Sequence, residues 1–261
     1  MLGYDFMRHA FLAGAIVGVL AGSVGWFLVL RGQSFAGHAL GHIGFTGATG
    51  AVLLGLPPLA GLIGLTMLGG IGMGLLGERI AERDVAIGIV LAFALGLGLL
   101  FLHFYTSFAS TAFSLLFGNI LGISRATIGV LAALAAASLG ALALLARPLL
   151  AASLQPEVAE AHGIGLRRVS VLFLAIAAVA TAESAEIVGV LLVFALMVGP
   201  AATAQRLTPR IGGGIALAAA LAVGEAWAGL VCAYYTDWPA TFWIASISGG
   251  LYLAASRVRG G

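Results

Sequence analysis

Charge is what this sequence has least of. Only 8% of its 261 residues are charged, against about 25% in soluble domains, so an aqueous surface is out of reach. Lysine is absent, and all twelve basic residues are arginines. Without lysine there is no GK[ST] phosphate-binding loop, which excludes an ATP-hydrolysing motor of that type. A lone cysteine, Cys232, excludes an internal disulfide framework and a thiolate cluster. HExxH, GxSxG and paired aspartates within apolar runs are also missing, so an intramembrane enzyme is not expected. Neither a permanently bound cofactor nor a nucleic-acid partner is expected.

What fills the sequence is apolar residues, 61% of the total, and 39 glycines. This composition belongs in a bilayer, where close helix packing favours small side chains. Nine apolar runs are long enough to span: about 9–30, 34–56, 58–77, 85–105, 126–146, 168–184, 187–205, 211–235 and 239–256. The first lacks a small-x-small cleavage site after a short core and reads as a span. A shorter run, FASTAFSLLFGNILG (108–122), reads as a re-entrant or interfacial helix. The expectation is an all-α polytopic membrane protein, a single transmembrane domain over 1–261.

Arginine placement predicts the orientation. With nine spans and the first residue outside, Arg31, Arg79, Arg83, Arg147, Arg167, Arg168, Arg206, Arg210, Arg257 and Arg259 fall on the cytoplasmic side. Only Arg8 and Arg125 fall outside, a strong positive-inside bias. The longest inner connection, RPLLAASLQPEVAEAHGIGLRR (147–168), predicts a short amphipathic helix. Pro156 suits a first helical turn, Glu157 and Glu160 its positive end, and Gly163 and Gly165 its termination.

The segment SFAGHALGHIGFTG (34–47) puts His38 and His42 at i and i+4, on one helix face about 5–6 Å apart. Two imidazoles so spaced can grip one divalent ion. At 1.5 Å per residue from Arg31 they lie roughly 10–16 Å deep, near the middle of a ~30 Å core where ionisable groups are costly. A histidine pair that only hydrogen-bonds across helices is the plain alternative, and heme ligation with His103 a third. Glu225 sits in the middle of a span, either lining a pathway or bonding a neighbouring helix. Glu183 and Glu186 fall at an expected outer turn, as a solvated corner or an acidic funnel for cations.

Four segments carry a family resemblance: SFAGHALGHIGFTG, QPEVAEAHGIGLRR, EIVGVLLVFALMVGPAATAQRL and YYTDWPATFWIAS, in that order along nearly the whole chain. Together they resemble the metal-type (manganese, zinc or iron) ABC transporter permeases. The resemblance implies an importer subunit of the bacterial inner membrane that forms homodimers. It also implies two cytoplasmic ATP-binding partners and an extracytoplasmic metal-binding protein. The segment Gln155, Pro156, Glu157, Glu160, Gly163 and Gly165 would couple to the ATPase, and His38 and His42 would meet the transported metal, with Glu225, Glu186 and Glu183 as further candidates. Where the family usually has aspartate, this chain has His38, and the L-P pair of many members is Phe45–Thr46. Imidazole in place of carboxylate shifts the expected cargo toward zinc over manganese or iron. A stand-alone secondary metal or drug transporter is the rival expectation.

Overall fold

The structure, a computed structural model, describes residues 4–75, 80–104, 115–118 and 120–258. The chain is all-helical. Among the described residues the helices are α1 (Asp5–Leu30), α2 (Ser34–Leu53), α3 (Pro58–Leu75), α4 (Ile80–His103), α5 (Arg125–Leu154), α6 (Pro156–Ala161), α7 (Leu166–Val188), α8 (Val193–Leu207), α9 (Ile211–Thr236) and α10 (Ala240–Val258), with a 3-10 turn at Ile120–Gly122. All but α6 correspond to the nine expected spans. By length and apolarity alone, α1, α3, α5, α7 and α9 qualify to cross a membrane. Helix α2 is poorer in large apolar groups because neighbours cover most of it: Ala36, Gly37, Ala39, Leu40 and the run Ile43–Thr49 are buried.

Helix α1 is the spine of one half, packed against α5, α7, α8 and α9. The other half gathers α2 and α3 against α7, with α4 on α2. Glycine sets the closest approaches. Gly47 of α2 faces Gly61 of α3, and a side chain on either would overlap the other's carbonyl. This is backbone-to-backbone packing, the form of association that lipid favours.

Four arginines are held by hydrogen bonds near the ends of the bundle. At one end Arg31 Nη1 donates to Ser153 Oγ (3.0 Å), Arg167 Nη2 to the Leu75 carbonyl (3.0 Å) and Arg206 Nη2 to Tyr252 Oη (2.9 Å). At the other, Arg125 Nε donates to His9 Nε2 (3.3 Å). Arg79 and Arg259 lie outside the described residues, as do residues 108–114 and 119 of the segment expected to be re-entrant or interfacial.

Two boundaries differ from expectation. Helix α5 runs on to Leu154 through Pro148, so the long inner connection shrinks to α6 and its flanks. The turn expected near 184–187 is not there. Helix α7 continues through Glu183 and Glu186, and the chain breaks instead at residues 189–192. Gly189 allows this with φ +79°, a region open to glycine but not to most residues. The freed backbone is satisfied from elsewhere: Val190 N–H donates to the Leu115 carbonyl (3.2 Å) and Leu191 N–H to that of Leu116 (3.3 Å). Gly118, also at positive φ (+77°), meets Gly189 so closely that neither position has room for a side chain. After the break, α8 has only 15 residues, about 22 Å of helix, less than the ~30 Å core. The α7–α8 unit is thus a broken element whose bend lies against Gly41 of α2, where an added Cβ would touch the Val190 carbonyl.

Candidate functional site

Helix α2 places the two histidines as the spacing requires. Their ring centroids are 4.8 Å apart with planes at 79°. Both are half-buried, and His42 Nδ1 has no hydrogen-bond partner. The edge of Phe194, in the first turn of α8, packs on His38 at 5.6 Å. Phe35 approaches it from one turn back at 6.4 Å. Further along α2, Thr46 Oγ1 donates to the Ala94 carbonyl of α4, and Thr49 Oγ1 back to the Phe45 carbonyl within α2 at 3.0 Å. The pair thus sits on a helix tied to α4, with His38 against the first turn of α8. An unpartnered buried ring nitrogen is costly, and a neutral imidazole with a free nitrogen is a metal ligand.

The heme arrangement is not formed. His103, the second histidine it would use, is the exposed last residue of α4. Nor is the pair a hydrogen-bonded strut, given the bare Nδ1 of His42.

The acids are placed differently from one another. Glu183 is fully buried inside α7, and neither carboxylate oxygen has a partner. The expected solvated corner is therefore corrected, because the helix runs on past it. Glu186 is half-buried in the last turn of α7. Glu225, in α9, is buried with both oxygens unpartnered. Among the described residues no three His, Cys, Asp or Glu side chains come together. The histidine pair and the acids are thus separate features. Sequence reasoning missed Phe194 and the Val190 carbonyl, since only the fold brings them to α2.

The loop helix forms as expected. Pro156 begins α6, Gln155 precedes it and Glu157 lies in its first turn. Its end is a Schellman closure: Ile164 N–H donates to the Ala159 carbonyl (3.0 Å) and Gly163 N–H to that of Glu160 (2.8 Å), with Gly163 at φ +79°. Ala159 is buried against the bundle, while Glu157, Val158 and Glu160 face outward, and Gly165 caps the start of α7. The helix is anchored on one side and displays an apolar residue between two carboxylates on the other.

Comparison with known proteins follows the same lines. The family model described as ABC 3 transport family matches residues 3–259. The manganese transport system membrane protein MntC of Halalkalibacterium halodurans is 29% identical over 231 residues, 88% of this chain and 79% of that protein. The chelated iron transport system membrane protein YfeC of Yersinia pestis is 30% identical over 236 residues, 90% of this chain and 80% of that protein. Among solved structures, PsaBC from Streptococcus pneumoniae in complex with Fab superposes with a TM-score of 0.84 at 26% identity, covering 97% of this chain and 91% of that one.

Proposed function

The chain belongs to the ABC 3 transport family, metal-type ABC transporter permeases, and from that premise we propose how it handles its cargo. It is the membrane subunit of a divalent-metal importer whose ATPase is a separate component. Family membership sets the stand-alone secondary transporter aside. The observation that carries the reading of the site is the His38–His42 pair, with rings 4.8 Å apart and a bare Nδ1 on His42. An ion entering between the helices meets two neutral imidazoles, backed by the α7–α8 bend. Discontinuous helices supply unwound backbone to ions in other transporters as well.

The similar proteins named above are called manganese and chelated-iron transport proteins. We assign this chain the same class of cargo, manganese or ferrous iron. The zinc expected from two imidazoles rests on His38 alone and has no support from those names. Helix α6 docks on the cytoplasmic ATPase through Val158 and its flanking carboxylates, which puts the arginine-rich end in the cytoplasm. A homodimer and an extracytoplasmic metal-binding protein complete the transporter.

The test is metal-stimulated ATP hydrolysis by the reconstituted complex, with manganese, ferrous iron and zinc supplied singly. Manganese or iron should stimulate, and the His38→Ala, His42→Ala double variant should lose the response. Stimulation by zinc alone would overturn the cargo assignment. An undiminished response in the variant would overturn the site.

A further inference from the structure

The histidine pair leaves Glu225 unexplained. It lies fourteen residues into α9, about 21 Å along the helix, so it is far from either end of the 26-residue span. It is 1% exposed, and neither oxygen has a hydrogen-bond partner. Ser248 is set beside it on the next helix, but that hydroxyl donates its hydrogen to the Ala195 carbonyl instead. A carboxyl group left bare at this depth is expensive unless something else arrives to satisfy it.

Its surroundings say what could arrive. Helices α9 and α10 run antiparallel, with Gly229 against Ala240 and Ile244. One turn deeper on each, that register sets Glu225 beside Ser248. Ser248 is itself wedged against α8: its Oγ donates to the Ala195 carbonyl (3.1 Å), and Gly199 has no room for a side chain because of it. Ser248 also forms part of the wall of a cavity of about 400 Å³ between α8 and α10. Phe194 lines the same cavity, and its other side touches His38. The cavity therefore reaches from Phe194, the ring that packs on His38, to Ser248 beside Glu225.

We propose that Glu225, Ser248 and the Ala195 carbonyl form a second, all-oxygen cation station, in series with the histidine pair through the α8–α10 cavity. A carboxylate, a hydroxyl and a carbonyl are hard donors, suited to manganese, ferrous iron and magnesium more than to zinc. Two neutral imidazoles leave the full charge of a divalent ion in a medium of low dielectric, and the carboxylate offsets it further along. The station gives a chain with histidine at position 38 an oxygen site that favours manganese. It rests on the reading that this chain moves a divalent metal, and it stands or falls separately from the histidine pair.

Manganese alone is the probe, titrated into the assembled permease–ATPase complex. The count of bound ions per permease comes from equilibrium dialysis, and nitrogen coordination from electron spin echo modulation by ¹⁴N. The wild type should bind two ions, one of them nitrogen-coupled. Glu225→Gln should bind one, still nitrogen-coupled. His38→Ala, His42→Ala should bind one with no nitrogen coupling. A Glu225→Gln variant that keeps the wild-type count overturns the proposal. Absence of nitrogen coupling in the wild type sinks the histidine site instead, while a Glu225-dependent ion then still supports this one. Should Glu225→Gln fail to fold, Ser248→Ala carries the test: about tenfold weaker binding of the nitrogen-free ion is expected, and unchanged affinity overturns the station.

Discussion

Gly41→Ala and Gly70→Ala add the same methyl group to two buried helix interiors, and the structure separates their effects: a gain at Gly41, none or a loss at Gly70. In a helix interior alanine is favoured over glycine by about 1 kcal/mol. At Gly41 the new Cβ would lie 3.5 Å from the Val190 carbonyl oxygen and 3.7 Å from Val190 Cγ1. Both are ordinary contacts, so the full gain of about 1 kcal/mol should appear. At Gly70 the Cβ would lie 2.6 Å from the Leu174 carbonyl oxygen and 3.1 Å from Ala178 Cβ. Carbonyl oxygens tolerate carbon at roughly 3.4 Å, so α3 and α7 must part by about 0.8 Å. Overpacking of this kind costs about 1–3 kcal/mol, which cancels or outweighs the helix gain. The net expectation is about 0–2 kcal/mol of destabilisation. Thermal unfolding of the solubilised complex reads the difference, at about 2–4 °C per kcal/mol for a chain of this size. Gly41→Ala should raise Tm by a few degrees, and Gly70→Ala should leave it unchanged or lower it by up to several degrees. If Gly41→Ala lowers Tm as much as Gly70→Ala, the placement of the α7–α8 bend against α2 is wrong.

Acid should weaken the histidine site, because a protonated imidazole cannot bind metal. As pH falls below the ordinary imidazole value of about 6.5, manganese affinity should drop toward a limit of about 100-fold per unit for two displaced protons; a flat titration from pH 8 to 5 contradicts the assignment. Val158→Glu, on the outward face of α6, should leave manganese binding intact while abolishing metal-stimulated ATP hydrolysis, and normal stimulation would remove α6 from the coupling path. Gly189→Ala meets the Leu116 carbonyl and an unfavourable φ together, a cost of several kcal/mol. It should make the loop on either side of the break accessible to protease, and wild-type resistance would show that the break is not held as described.

The helices themselves were legible in the sequence, because apolar runs of span length leave little choice in a bilayer. So was the loop helix, where Pro156 and Gly163 act through purely local geometry. The α7–α8 break was not. Glu183 and Glu186 read as a turn because charge usually marks a helix end, yet the actual bend comes from Gly189 and from hydrogen bonds to Leu115 and Leu116, residues more than 70 positions away. The site divides the same way. His38 and His42 share a face by their spacing alone, whereas Phe194, the Val190 carbonyl and the pairing of Glu225 with Ser248 depend on which helices become neighbours. No local pattern encodes that.

Manganese uptake into proteoliposomes holding the full transporter, with ATP inside, tests the role of the histidine pair most directly. The wild type should accumulate the ion. The His38→Ala, His42→Ala variant, assembled to the same level, should fall to the rate seen without ATP. Accumulation by that variant at the wild-type rate would contradict the account.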